Sequence, residues 1–228
     1  MEFNKVSKKY ALNNSYFKNR NYGDPSSPYE VMLYHKQHNE LPFSYNGNNW
    51  MYDCFCEYQK RAGVYHSQFF TPDATAHRIA ALADNFFEKD PYILDACCGF
   101  GQLTKPLTNR GFIVHGFDSC HDIVEMYKYN TSCIGSHAHY MDFKTKYKNI
   151  VANPPYEIKY LTEFLNSLYE VLEDDGTAIL LIPFGFIDKE RPKAIVEAIS
   201  KFNIKYREAM DEFFERTKTK AEIVVITK

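Results

Sequence analysis

The residues with the clearest chemical potential are Asn153, Pro154, Pro155 and Tyr156, which directly follow the apolar run Asn149-Ile150-Val151-Ala152. The run reads as a short buried strand, and the double proline ends it, because proline fixes φ and has no N–H for a ladder. What results is a rigid polar loop tipped by an aromatic ring, with side-chain and main-chain oxygens in nearly invariant positions. Such a loop suits a planar amide or aminated base held by its NH2 group. Taken alone the tetrapeptide also reads as a plain Pro-Pro turn, since short motifs have false positives.

Two carboxylates join it. Asp95 closes the strand-like Ile93-Leu94 and is followed by a tight loop, Ala96-Cys97-Cys98-Gly99-Phe100-Gly101-Gln102-Leu103. Asp118 closes a second apolar run, Phe112 to Phe117, and stands 23 residues after Asp95. That is close to the spacing of about 20 at which doubly wound folds place an acid on the ribose hydroxyls. The loop has Gly99 and Gly101 but Thr104 where the third glycine of a dinucleotide fingerprint would stand, so NAD is the weaker reading.

Together, the acidic glycine loop and the Asn-Pro-Pro-Tyr tetrapeptide resemble motifs I and IV of the S-adenosylmethionine-dependent N6-adenine DNA methyltransferases of restriction-modification systems. The resemblance covers roughly residues 60–228. It implies a Rossmann-like class I methyltransferase fold, S-adenosylmethionine as cofactor and no metal. Gln68-Phe69-Phe70-Thr71-Pro72 matches that family's motif X, whose backbone and threonine hydroxyl meet the methionine end of the cofactor, which implicates Phe70, Thr71 and Pro72. Asp95, Cys97, Gly99, Gly101, Asp118 and Asn153 become cofactor contacts. Asp142 and Phe143 match a third motif, in which the acid accepts the cofactor's adenine amino group and the ring stacks on it; without the resemblance Asp142 is an ordinary solvated strand-end acid. Tyr156 and an aromatic before the closing strand would sandwich the target base, with Phe214 the candidate and Phe213 the alternate. Arg216, Lys218 and Lys220 read either as a solvated hairpin tip or as phosphate contacts.

The family implication is methylation of adenine in DNA by base flipping, with RNA adenine and a protein glutamine side chain as alternatives served by the same tetrapeptide. A non-enzymatic cofactor-binding subunit is a further alternative. Relatives of this motif order usually carry a separate target-recognition domain after the catalytic one, whereas this chain stops at the closing strand. Sequence recognition is therefore expected from residues 1–60, from a partner subunit, or hardly at all.

The elements that must position these groups follow from periodicity. Thr71 is expected to cap a helix with Pro72 in its first turn and Ile79, Leu82, Ala83 and Phe86 inward. Tyr92 to Ala96 reads as a strand, Gln102 to Arg110 as a helix closed by Gly111, and Asp122 to Asn130 as a helix with Ile123, Met126 and Tyr127 inward. His139-Tyr140-Met141 is read as a strand leading into Asp142. Tyr160 to Leu172 is a helix with one apolar face, closed by Asp174-Asp175-Gly176. Thr177 to Pro183 is a strand, Arg191 to Phe202 a helix, and Ile204 to Met210 and Ala221 to Lys228 the final strand pair. The alternation predicts an α/β fold: a doubly wound, mainly parallel seven-stranded sheet with an antiparallel edge strand and helices on both faces. Ligands in such a fold sit at the carboxyl ends of the strands, where Asp95, Asp118, Asp142 and Asn153 are expected to converge.

In bulk, 228 residues at 45% apolar and 25% charged suit one catalytic domain, 49–228, behind an extension, 1–48, rich in Asn, Tyr, Lys and Ser. Trp50 to Arg61 reads as an amphipathic helix. A net charge of −2 supplies no overall field toward nucleic acid, so a polyanion must be met by a local patch. No apolar run of about 18 residues and no signal sequence is visible, so an intracellular, cytoplasmic chain without a membrane span is expected. The six cysteines read as reduced thiols. Cys54-Phe55-Cys56 with His66 is a weak metal fragment, more simply small apolar side chains on a helix.

Overall fold

Strand and helix alternate along the chain much as its apolar patterning requires. A computed structural model describes residues 71–228 except 89, 140, 141, 143, 189–191 and 214–218. These lie in the unit Gln68–Lys228. The expected boundary at residue 48, the helix from Trp50 and the Cys54/Cys56/His66 fragment fall outside the described residues.

The elements are α1 (Asp73–Phe86), β1 (Tyr92–Asp95), α2 (Thr104–Thr108), β2 (Ile113–Asp118), α3 (His121–Thr131), β3 (Ile134–His137), β4 (Tyr147–Ala152), α4 (Ile158–Val171), β5 (Leu172–Pro183), α5 (Lys193–Ile199), β6 (Asn203–Phe213) and β7 (Lys220–Thr227). They form a seven-stranded sheet in the order β3-β2-β1-β4-β5-β7-β6. All pairings from β3 to β5 are parallel, while β7 runs antiparallel between β5 and the edge strand β6. The strand order reverses between β1 and β4, and the crevice outside their carboxyl ends is where such sheets bind ligands.

Side chains alternate across the sheet with period two. Leu94, Ile150, Leu180 and Val224 bury against α4 and α5 on one face, and Ile93, Val151, Ile179 and Val225 against α1 and α2 on the other. α4 holds its place because Leu161, Phe164, Leu165 and Leu168 recur at helical spacing and are all buried. Each such side chain contributes roughly 1.5–3 kcal/mol. Among the described residues no helix is long and apolar enough to cross a membrane.

Two expectations are corrected and one strand is added. Thr71 does not cap α1: Pro72 occupies the N-cap without a side-chain bond, and the Thr71 hydroxyl is engaged elsewhere. Residues 140 and 141 lie outside the described residues, and the strand ahead of them is Ile134–His137, which apolar patterning did not mark. It carries a glycine because a Cβ at Gly135 would come within 2.9 Å of the Tyr127 ring, so packing and not strand propensity chose its residues. The acidic stretch after α4 belongs to β5: Tyr147 pairs with Leu172 and Asn149 with Thr177, so Lys148 alone opposes Glu173 to Gly176 in a bulge. Lys148 there is ion-paired with Asp175 and Glu88, while Asp174 meets Lys228 at 3.0 Å.

The edge strand β6 is tied down on both faces. Arg78 of α1 donates to Glu208 at 2.8 Å and to the Tyr206 hydroxyl at 3.0 Å. Arg207 donates to Asp188, in the loop after β5, at 2.7 Å and to the buried Glu222 of β7 at 2.8 Å.

Candidate functional site

Asp95 ends β1 and is fully buried. Its Oδ2 accepts a 2.8 Å bond from Thr104 Oγ1, and its Oδ1 is buried without a hydrogen-bond partner. Thr104 Oγ1 also lies 3.1 Å from the Tyr127 hydroxyl. A hydroxyl has one proton, so when Thr104 donates to Asp95, Tyr127 donates to Thr104. Burial pushes the Asp95 carboxyl up to about 7, against the pull of the Thr104 bond and with the help of the Asp118 charge. The folded chain thus keeps a proton that the unfolded chain releases near the ordinary 3.8. Stability is therefore expected to fall as pH rises from about 4 to about 7, by roughly 2–4 kcal/mol, and to level off above. Denaturant titrations of the wild type and Asp95→Asn at pH 5 and pH 8 check this; the same pH dependence in both would show that Asp95 is not its source.

The loop after β1 is shaped by two glycines in the left-handed region, Gly99 (φ 53°) and Gly101 (φ 87°). It is pinned to the next strand by the Cys98 N–H donating to Phe117 O at 2.9 Å. Asp118, at the end of β2, accepts from the Gly99 N–H at 3.3 Å and the Cys120 N–H at 3.0 Å. Burial raises its carboxyl to about 6, partly offset by these backbone donors. A carboxylate has about four acceptor sites, so these bonds leave Asp118 capacity for a diol. The thiols of Cys97 and Cys98 are pushed well up by burial, so neither is a nucleophilic thiolate. All four described cysteines, Cys97, Cys98, Cys120 and Cys133, carry free thiols.

Asn153 follows β4 at the same edge. Its Nδ2 donates to Thr71 Oγ1 at 3.2 Å, across 82 residues of sequence. That bond turns the amide so that its oxygen faces away from Thr71. Pro154 is buried and Pro155 half-buried. Tyr156 packs against the apolar cluster on the α1 side of the sheet, and burial raises its phenol well above the ordinary range.

The structure thus brings Thr71, Asp95, Asp118 and Asn153 to one edge. Asp142 is exposed, in a turn five positions beyond β3, its N–H donating to His139 O at 2.8 Å. Lys220 is exposed at the start of β7. Phe70, Phe143, Phe214, Arg216 and Lys218 lie outside the described residues. Sequence reasoning missed Thr104 as the donor to Asp95, although its standing in place of a third glycine was the visible signal. It read Tyr127 as inward but not as the hydroxyl behind that donor.

No protein-family profile and no curated protein matches the chain. Solved structures do. A Pyrococcus horikoshii protein assigned as an RNA methyltransferase superposes with a TM-score of 0.58 at 16% identity, over 71% of this chain and 88% of that one. TrmN from Thermus thermophilus gives 0.54 at 18% identity, over 69% of this chain and 49% of TrmN. Magnesium protoporphyrin IX methyltransferase from Synechocystis PCC 6803, with bound SAH, gives 0.53 at 16%, over 68% and 83%. With the strand order and the single reversed strand described above, these likenesses show that the chain has the Rossmann-like class I methyltransferase fold.

Proposed function

We propose that this protein transfers a methyl group from S-adenosylmethionine to the exocyclic N6 amine of adenine, with DNA the favoured substrate. The observation that carries the reading is Asn153, held by Thr71 at the carboxyl end of β4 beside the Asp95 and Asp118 loops.

The residues present fit the cofactor. Gly99, in the left-handed region, brings bare backbone to its site, Asp118 suits the ribose hydroxyls, and the buried Asp95 Oδ1, without a hydrogen-bond partner, is a polar atom in need of one. Phe70, Thr71, Pro72 and Cys97 would line its amino-acid end, and Asp142 with Phe143 its adenine. When bound it supplies an electrophilic sulfonium methyl. The amine of adenine is a poor nucleophile because its lone pair is delocalised into the ring. Asn153 Oδ1 and the Pro154 carbonyl would accept its two hydrogens, favour rehybridisation at nitrogen and meet the positive charge that develops there, so no strong base is needed. Tyr156 would stack on the ring and orient it. A base paired in a duplex would have to be flipped to reach the loop.

RNA adenine is the second reading, favoured by the assignment of the Pyrococcus neighbour. The deciding experiment is transfer of labelled methyl to unmethylated genomic DNA, total RNA and cell protein in parallel, with nucleoside chromatography. N6-methyladenine in DNA supports the reading; label only in RNA or protein replaces the substrate. Asp118→Ala is expected to weaken S-adenosylmethionine binding about tenfold or more in calorimetry, the loss of one charge-assisted bond. Unchanged affinity would remove Asp118 from the ribose.

A further inference from the structure

Among the described residues, four of the eight large apolar side chains left in solvent, Tyr92, Ile113, Ile134 and Ile204, stand at strand starts, on the edge away from the site. Three others flank the Asn153–Tyr156 loop. Ile158 and Tyr160, each 41% exposed, sit in the first turn of α4 directly after the loop. Phe184, 46% exposed, follows β5, the strand next to β4.

Phe184 is held there by structure. Pro183 O accepts from the Phe186 N–H at 3.0 Å, and Gly185 has φ 66°, the glycine position of a type II turn that puts Phe184 at its corner. The Phe184 N–H donates to Lys220 O at 2.9 Å, Phe186 is buried, and Asp188 is clamped by Arg207. β5 also continues three residues past Leu180, the partner of Ala152, so this turn lies at the same carboxyl edge of the sheet as the Asn153 loop. Cations interleave with the aromatics: Lys159 Nζ lies 5.6 Å from the centre of the Tyr160 ring, and Lys220 is exposed beside the turn. Fixed exposed rings with lysines between them are how proteins hold unpaired nucleic-acid strands, each base stacking on a ring and the backbone meeting the cations. A paired duplex hides the faces of its bases, and the net charge of −2 gives no compensating pull on its phosphates.

Resting on the function proposed above, we infer that the substrate is an unpaired strand, whose bases flanking the target adenine stack on Tyr160 and Phe184. The test compares one adenine-containing DNA sequence as a single strand and as a duplex, and its RNA counterpart as a single strand and in a hairpin stem. The expected result is kcat/KM at least tenfold higher for the unpaired form of each. Tyr160→Ala and Phe184→Ala are each expected to raise KM for the strand about 5- to 100-fold, with S-adenosylmethionine affinity unchanged and Tyr160→Trp and Phe184→Trp restoring it. In a Trp50→Phe background the indole of Phe184→Trp should be quenched by the single strand. Equal or faster turnover of duplex, or alanine variants that keep wild-type KM, would overturn the inference while leaving adenine methylation intact. Absence of methyladenine in every polynucleotide would overturn both.

Discussion

Asn153→Ala is expected to lower methyl transfer by about 10²- to 10³-fold, the typical cost of deleting one group that meets developing charge. S-adenosylmethionine affinity should stay within a few-fold. The reason is positional. Asn153 belongs to the loop after β4, whereas the acids assigned to the cofactor end β1 and β2, the two strands on the other side of the crevice. Its amide nitrogen is held by Thr71 at 3.2 Å, so the end that would receive an amine hydrogen is its oxygen. Single-turnover rates and calorimetry on the same folded variant separate the two quantities. Equal loss of both would mean that Asn153 serves the cofactor or the fold, and the assignment to the target amine would fall. Thr71→Val offers a graded companion: it keeps the volume, removes the acceptor that turns the amide and should cost rate without the full loss.

Gly101→Ala has the largest expected effect on stability, because two independent penalties coincide. The backbone there has φ 87°, where a side chain adds about 1–2 kcal/mol. The new Cβ would also lie 2.2 Å from Thr131 Cγ2 and 3.3 Å from Tyr127 Cδ2. Forcing α3 away from the loop adds a further 1–3 kcal/mol or so. The sum, roughly 2–5 kcal/mol, is a large share of a domain's stability and is read by urea titration. Thr131→Ser separates the penalties, since it deletes the clashing methyl but keeps the hydroxyl that donates to Tyr127 O at 2.8 Å and accepts from the Cys133 N–H at 3.1 Å. Added to Gly101→Ala, it should recover the steric part and leave the backbone part. A Gly101→Ala protein as stable as the wild type, or no rescue by Thr131→Ser, would show that the loop and α3 adjust without strain.

Tyr127 links this packing to the site. Its ring lies against Gly101, Gly116 and Gly135, at each of which a Cβ would come within 3.3 Å of it. Its hydroxyl reaches the Thr104 that supports Asp95. One buried side chain of α3 therefore sets the β1 loop, the β2–β3 pairing and the carboxylate beneath the proposed cofactor site.

The amino-acid sequence by itself determined the α/β class, six of the seven strands and the polar residues that end β1, β2 and β4, because these follow from local apolar runs and from proline and glycine chemistry. Only the tertiary structure decided the rest. β3 was missed because Ile134-Gly135-Ser136-His137 has no strand pattern, its glycine answering to a ring in α3. Thr71 was read as a helix cap because a cap is the local use of a hydroxyl before Pro72; its actual partner lies 82 residues away. Thr104 reads as a missing glycine until the fold sets it 2.8 Å from Asp95. Periodicity reports which face of an element is buried. Which element covers that face is set by the packing of the whole sheet, and the donors that turn Asn153 and support Asp95 are placed by that packing.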